Sequence, residues 1–302
     1  MSLQNFLINA VLKRTQRALM QLSVEHRFNR SRKWMATDHS RVAKSIEARG
    51  EVIGGVPVEW VVPKRLAKHI DPVICVYFHG GAFVMGSLHS HRDMAAFLAE
   101  NANIWMLMVD YRLAPEHPFP ASLDDAAAIY RSLLARGVSA ERMLLGGDSA
   151  GGNIALATAQ FLRDAGVPLP TALILFSPWL DLQNSSPSHS ANAATDALLN
   201  TQLLDEAVER YAPHVARHDA RLSPLLGSVA GLPPCLIVAS ATEILLHDAV
   251  SLRDKLQNSG IEVDYLEWPN TPHAFPVFAR WLPEAREALR RTARFIRRKV
   301  RS

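Results

Sequence analysis

The stretch that decides the fold is Met143-Leu144-Leu145-Gly146-Gly147-Asp148-Ser149-Ala150-Gly151-Gly152. A short apolar run leads into Gly147-x-Ser149-x-Gly151, and an Ala-rich segment of helical character, 153–162, follows. Strand, sharp turn and helix in that order form a nucleophile elbow, in which a serine at the apex is lifted clear of the backbone. Its neighbours must be small, because a larger side chain would strike the strand or the helix. Gly147, Ala150, Gly151 and Gly152 meet that demand. A helix starting directly after Ser149 also directs free N–H groups and its positive dipole end at the serine. The pattern alone would also fit a glycine-rich turn with an idle serine, so the rest of the chain must decide.

Working outward, apolar runs at 73–78, 104–109, 143–145, 171–176 and 235–239 predict strands buried on both faces, with a weaker alternating strand at 261–266. Helical stretches at 91–100, 123–134, 150–163, 248–257 and 284–300 lie between and after them, with Ser90 placed to cap the first. Gly54-Gly55 between 51–53 and 56–62 reads as a hairpin turn, and no strand signal precedes Glu51. This alternation predicts an α/β fold: a mostly parallel central sheet with helices on both faces and a ligand site beyond the carboxyl ends of the strands. Residues 1–48 read as a helical segment, with Leu3, Phe6, Leu7, Ala10 and Val11 at helical spacing. Residues 183–227 interrupt the rhythm and contain one predicted helix, at 203–211. Both are expected to serve as cap pieces over a catalytic domain spanning 49–302.

The 302 residues, 48% hydrophobic and 21% charged, describe an ordinary globular protein with a large core. No apolar run is long enough to span a bilayer, and the N-terminus does not have the pattern of a secretory signal. Cys75 and Cys235 each sit inside a predicted strand and read as core residues, which suits a cytoplasmic protein. The net charge of +4 conceals an asymmetry: residues 1–49 hold ten Lys/Arg against three Asp/Glu, and 286–302 hold eight against one. Basic ends on an acidic body suit weak contact with an anionic interface; the plainer reading, which we take, is solvated helix faces. No nucleic-acid motif accompanies the charge. An edge strand or exposed helix late in the sheet could pair two subunits as a homodimer.

Three further features supply chemistry. His79-Gly80-Gly81 follows the strand at 73–78, so bare backbone N–H groups stand at a strand end. Gly80, Gly81 and Ala150 are the expected donors to an oxyanion formed when Ser149 adds to a carbonyl. A serine hydroxyl needs a base, and His273 lies in the loop after the last strand, just before the terminal helix. That histidine needs a carboxylate: Glu243 sits just past the strand at 235–239, and Asp248, further on inside the next helix, competes with it. The order Ser149, Glu243, His273 is the order of an α/β-hydrolase triad. No HExxH motif or cysteine cluster is present, and this chemistry requires no metal or cofactor.

The chain resembles the bacterial hormone-sensitive-lipase-like esterases, an α/β-hydrolase family. Its HGGGF-type motif stands here as His79-Gly80-Gly81-Ala82-Phe83, with alanine for the third glycine, and its GDSAGG elbow as residues 147–152. Residues 111–121 are similar to its YRLAPEHPFPA segment, and Ser177-Pro178-Trp179-Leu180-Asp181-Leu182, Leu222-Ser223-Pro224-Leu225 and Gly231-Leu232-Pro233-Pro234 also match. The resemblance runs from about Val73 to the C-terminus. The family's acid is usually Asp in a DPLxD-like segment; here the register places Glu243 on it. The resemblance implies a small-molecule substrate, a short- to medium-chain acyl ester; the cap is expected to enclose a pocket of limited depth, lined partly by Phe83, Val84, Leu180 and Phe275. Two rivals share the scaffold: a small-molecule-binding protein, and an amidase or acyltransferase with the same acyl-enzyme.

Overall fold

The computed structural model describes residues 2–300. In chain order the elements are α1 (Leu3–Met20), α2 (Val24–Ala36), β1 (Ile46–Ile53), β2 (Val56–Pro63), β3 (Ile74–Phe78), α3 (Leu88–Ala102), β4 (Trp105–Val109), α4 (Ala121–Ala135), β5 (Met143–Asp148), α5 (Ala150–Asp164), β6 (Ala172–Phe176), α6 (Pro187–Ala191), α7 (Thr201–Tyr211), β7 (Cys235–Ser240), α8 (Leu246–Asn258), β8 (Val263–Trp268) and α9 (Pro283–Lys299). The strands form one sheet in the order β1-β2-β4-β3-β5-β6-β7-β8. β1 and β2 pair antiparallel, β2 joins β4 antiparallel, and every pair from β4 through β8 is parallel.

Strand alternation divides the core in two. Val76, Phe78, Leu145, Leu173, Leu175 and Ile237 face the layer of α4, α5 and α8. Cys75, Tyr77, Leu144, Ile174, Phe176 and Val238 face the layer of α3 and α9. Both faces of β3 to β7 are buried, which is why these segments read as unbroken apolar runs, whereas the edge strand β8 is only half-buried and alternates.

Three local expectations are corrected. β1 begins at Ile46, not Glu51, because β2 continues to Pro63 and Ile46 pairs with it. Glu47, Arg49 and Glu51 kept this strand from showing an apolar signal, as befits a charged edge strand. α3 starts at Leu88, so its cap is Ser87; Ser90 is the third helical residue and completes a reciprocal capping box with it. The N-terminal helices end at Ala36, and a strandless, helix-free stretch leads to β1. Cys75 and Cys235 are free thiols inside the core.

The first helices and the 183–227 segment meet one another. Phe28 of α2 is buried in the core, and the Arg210 guanidinium of α7 lies 4.6 Å above its ring. Arg27 of α2 forms an ion pair with Glu206 of α7, both well shielded from solvent. Arg32 grips both carboxylate oxygens of Glu116 at 2.7 and 2.8 Å.

Candidate active site

The elbow forms where β5 meets α5. Ser149 has φ 53° and ψ −120°, a conformation that non-glycine residues rarely adopt and that concentrates at functional positions. The turn is held by Ser149 N–H donating to the Phe176 carbonyl at 2.9 Å and by Trp179 N–H donating to the Ser149 carbonyl at 3.1 Å. A Cβ on Gly151 would stand 2.0 Å from the Phe78 carbonyl oxygen, so the helix can come this close to β3 only with glycine there.

Glu243 follows the end of β7, two strands from β5, and His273 follows β8, the next strand out. Glu243 Oε1 accepts the Ser240 N–H at 2.9 Å, and Oε2 lies 2.5 Å from His273 Nδ1. An ionised carboxylate only accepts, so Nδ1 carries the proton and Nε2 keeps a free lone pair. Burial alone would lower the basicity of His273, but the hydrogen bond and charge of Glu243 outweigh it and hold its pKa above the ordinary histidine value. Ala274 N–H donates to Ser177 Oγ at 3.0 Å, tying the histidine loop to the end of β6, beside β5. Ser149, Glu243 and His273 are all buried, with Ser149 the most accessible at 7%.

Asp248, the competing carboxylate, is engaged elsewhere. Its Oδ2 accepts the N–H groups of Leu180 and Asp181 at 2.7 and 3.0 Å, and Oδ1 has no partner. Burial pushes its pKa up to about 7.

The loop after β3, expected to supply the oxyanion donors, departs from expectation at one of them. Gly80 N–H donates to Asp148 Oδ1 at 3.0 Å and is therefore unavailable to a substrate oxygen. Gly81 and Ala82, with φ of 122° and 54°, turn the chain after it, and among the described residues neither N–H has an acceptor. Ala150 is the first residue of α5, where the N–H has no intrahelical partner. Asp148 is the anchor beneath this loop. It also accepts from Tyr77 Oη at 3.0 Å and contacts His91 Nε2 at 3.1 Å. His91 Nδ1 continues the chain to Ser90 Oγ at 2.8 Å. Although burial opposes it, His91, Tyr77 and His79 hold the Asp148 carboxyl below the usual range. His79 stacks on Tyr111 with centroids 4.4 Å apart, and burial drives its pKa to about 4, so it is neutral at pH 7.

A further buried carboxylate, Asp196, was not legible in the sequence. Its Oδ1 accepts the N–H groups of Leu198 and Leu199, and its Oδ2 accepts Ile244 N–H at 2.8 Å, one residue past Glu243. Its charge adds to the basicity of His273. Asn192 reinforces the same joint by donating to the Glu243 carbonyl at 2.8 Å. A polar loop with no apolar period offered no signal for this role.

The four expected lining residues are all buried, none more than 1% exposed. Phe83 stacks on Tyr211 of α7 with centroids 3.9 Å apart and planes 2° apart, and tilts against Trp179. Val84 and Leu180 share that layer of the core. Phe275 lies in the other layer, against Trp268. Tyr211, whose hydroxyl meets Ser122 Oγ at 2.9 Å, was missed because only the folded chain brings it to Phe83. Among the described residues, no group of three or more His, Cys, Asp or Glu is arranged to hold a metal ion.

Comparison with known proteins decides the family. A family model described as an alpha/beta hydrolase fold matches residues 75–277. An acetyl-hydrolase of Streptomyces hygroscopicus is 39% identical over 245 residues, 81% of each chain. An esterase of Acinetobacter venetianus is 37% identical over 220 residues, 72% of this chain and 73% of that one. The crystal structure of an esterase from the bacterial hormone-sensitive lipase family superposes with a TM-score of 0.91 at 32% identity, covering 99% of both chains. The chain belongs to this family of α/β-hydrolase esterases. Among the described residues of the esterase, no helix is long and apolar enough to cross a membrane.

In an esterase, a displaced oxyanion loop should lower turnover more than binding. Asp148→Asn places an amide N–H₂ among the donors Gly80, Tyr77 and His91. The expected result is a fall in kcat of about 10²-fold with KM within about threefold of wild type. Steady-state kinetics check this; an unchanged kcat would mean that the loop holds its shape without Asp148.

Proposed function

We propose that the protein is a serine carboxylesterase that hydrolyses short- to medium-chain acyl esters through an acyl-enzyme. The observation that carries this reading is the 2.5 Å Glu243–His273 contact at the carboxyl ends of β7 and β8, the same edge of the sheet at which the strained Ser149 follows β5. Ser149 Oγ attacks the acyl carbon and gives its proton to His273 Nε2. The carbonyl electrons move onto oxygen, which Gly81, Ala82 and Ala150 N–H groups stabilise. Collapse expels the alcohol, whose oxygen takes the proton from Nε2. Water then attacks the acyl-enzyme, His273 accepts its proton and returns it to Ser149, and the acid leaves. Glu243 holds the imidazole in the tautomer these steps need and stabilises its cation.

In this reading α1, α2 and residues 183–227 cap the carboxyl ends of the strands. The Phe83–Tyr211 stack and the small exposure of Ser149 support a shallow acyl pocket. Two free, buried cysteines agree with a cytoplasmic location.

A p-nitrophenyl ester series from acetyl to long acyl chains tests the proposal, with the matched anilides alongside. Rapid turnover of the short esters, declining steeply with chain length and absent for the anilides, is expected. No turnover in the whole series would sink the catalytic reading, and faster anilide cleavage would reassign the enzyme as an amidase.

A further inference from the structure

α1 is amphipathic the wrong way round. A surface helix ordinarily turns its apolar stripe to the core and its polar side to water. Here Asn5 is the buried residue, and Asn5 and Asn9 donate from their side chains to the Asn270 carbonyl at 2.9 and 3.0 Å. The amino end is fixed by Ser2, whose N–H and hydroxyl reach Glu284 at 2.7 and 2.9 Å. Lys13 Nζ reaches the Ala194 carbonyl at 3.2 Å. Ile8 and Leu12 are half-buried. The outward face carries Leu3, Phe6, Leu7 and Val11, which are 70%, 57%, 54% and 64% exposed. One turn on, the same face presents Arg14 and Arg17, both exposed.

We infer that this face of α1 docks the protein on an anionic phospholipid surface. Apolar side chains would enter the boundary between headgroups and acyl chains, and Arg14 and Arg17 would meet the phosphates. The first acidic residue of the chain is Glu25, so nothing on α1 opposes a negative surface. The same charge pattern disfavours a second copy packed in parallel as the occupant, because two such helices would bring arginines together with no carboxylate between them. Trp281, 48% exposed, lies three residues before Glu284, which anchors the start of α1. Tryptophan is a side chain suited to the membrane–water boundary. The helix grips the loop leading to His273 through Asn270, so docking there holds the catalytic end of the molecule toward the surface that carries lipid esters. The inference rests on α1 and Trp281 and stands whatever ester the site prefers.

Vesicle co-sedimentation tests it, with phosphatidylcholine vesicles and with vesicles containing phosphatidylglycerol. The wild type is expected to bind the anionic vesicles at least about tenfold more tightly than the neutral ones, and 0.5 M salt should remove the difference. Phe6→Glu/Leu7→Glu should lower binding at least about tenfold at unchanged melting temperature. Arg14→Gln/Arg17→Gln, which leaves the apolar face intact, should lose about fivefold per arginine on anionic vesicles only. Absence of vesicle binding, or binding indifferent to the Phe6/Leu7 change, overturns the inference. So does a wild-type dimer that the Phe6/Leu7 variant splits without any vesicle binding, because the face would then belong to a second copy.

Discussion

Ser149→Ala is expected to lower kcat on p-nitrophenyl acetate by at least about 10⁴-fold, leaving a residue of activity from the oxyanion donors and substrate binding alone. The size follows from the loss of the covalent step: with no Oγ, His273 can only activate water across an unaltered pocket. Ser149→Gly should lose as much activity and yet differ in stability. Alanine keeps the strained φ of 53°, whereas glycine adopts it freely. The glycine variant should therefore melt above the alanine variant, by an amount corresponding to about 1 kcal/mol. Thermal denaturation of the two variants decides it. If both hydrolyse the ester at the wild-type rate, Ser149 is not the nucleophile.

The second large effect concerns the carboxylate. Glu243→Gln should reduce kcat by on the order of 10²–10⁴-fold, because the amide can present the wrong group to Nδ1 and no longer balances the imidazolium. The pH profile should move as well. Catalysis needs neutral Nε2, so activity falls as pH drops through the His273 pKa. Burial lowers that pKa, but Glu243 raises it further, to above the ordinary value. Removing the glutamate charge should therefore shift the acid limb of kcat/KM to lower pH, on a reduced plateau. Asp248→Asn is the matched control: its carboxylate serves the Leu180 and Asp181 N–H groups, so kcat should stay within about threefold. If instead Asp248→Asn removes turnover and Glu243→Gln spares it, the acid of the triad has been misassigned.

What the sequence disclosed follows from the range of the forces involved. Strands β3 to β7 are buried on both faces, so each announces itself in a few consecutive residues. The elbow is legible for the same reason, since Gly147, Ser149 and Gly151 act on one another locally. Glu243 and His273 could be placed from their positions after successive strands. The Gly80 donor was misread because its N–H is taken by Asp148, 68 residues away, a contact no local pattern encodes. His91 and Asp196 were passed over on the same account. Each is a polar residue whose partners, Asp148 and Ile244, come from distant segments. Ser87 escaped notice as the cap of α3 because Ser90 offers the same chemistry three residues later.

The shielded pair of Arg27 and Glu206 sets a rule for recombining this protein with its relatives. The two side chains come from segments 179 residues apart, yet replacing Glu206 alone leaves the buried Arg27 guanidinium without its counter-charge. Such a loss costs about 3–5 kcal/mol, a large share of the stability of a typical domain. A chimera that imports residues 201–211 must therefore import 24–36 from the same parent. The crossover unit is discontinuous, and a library cut at a single point between them would mostly discard its own members.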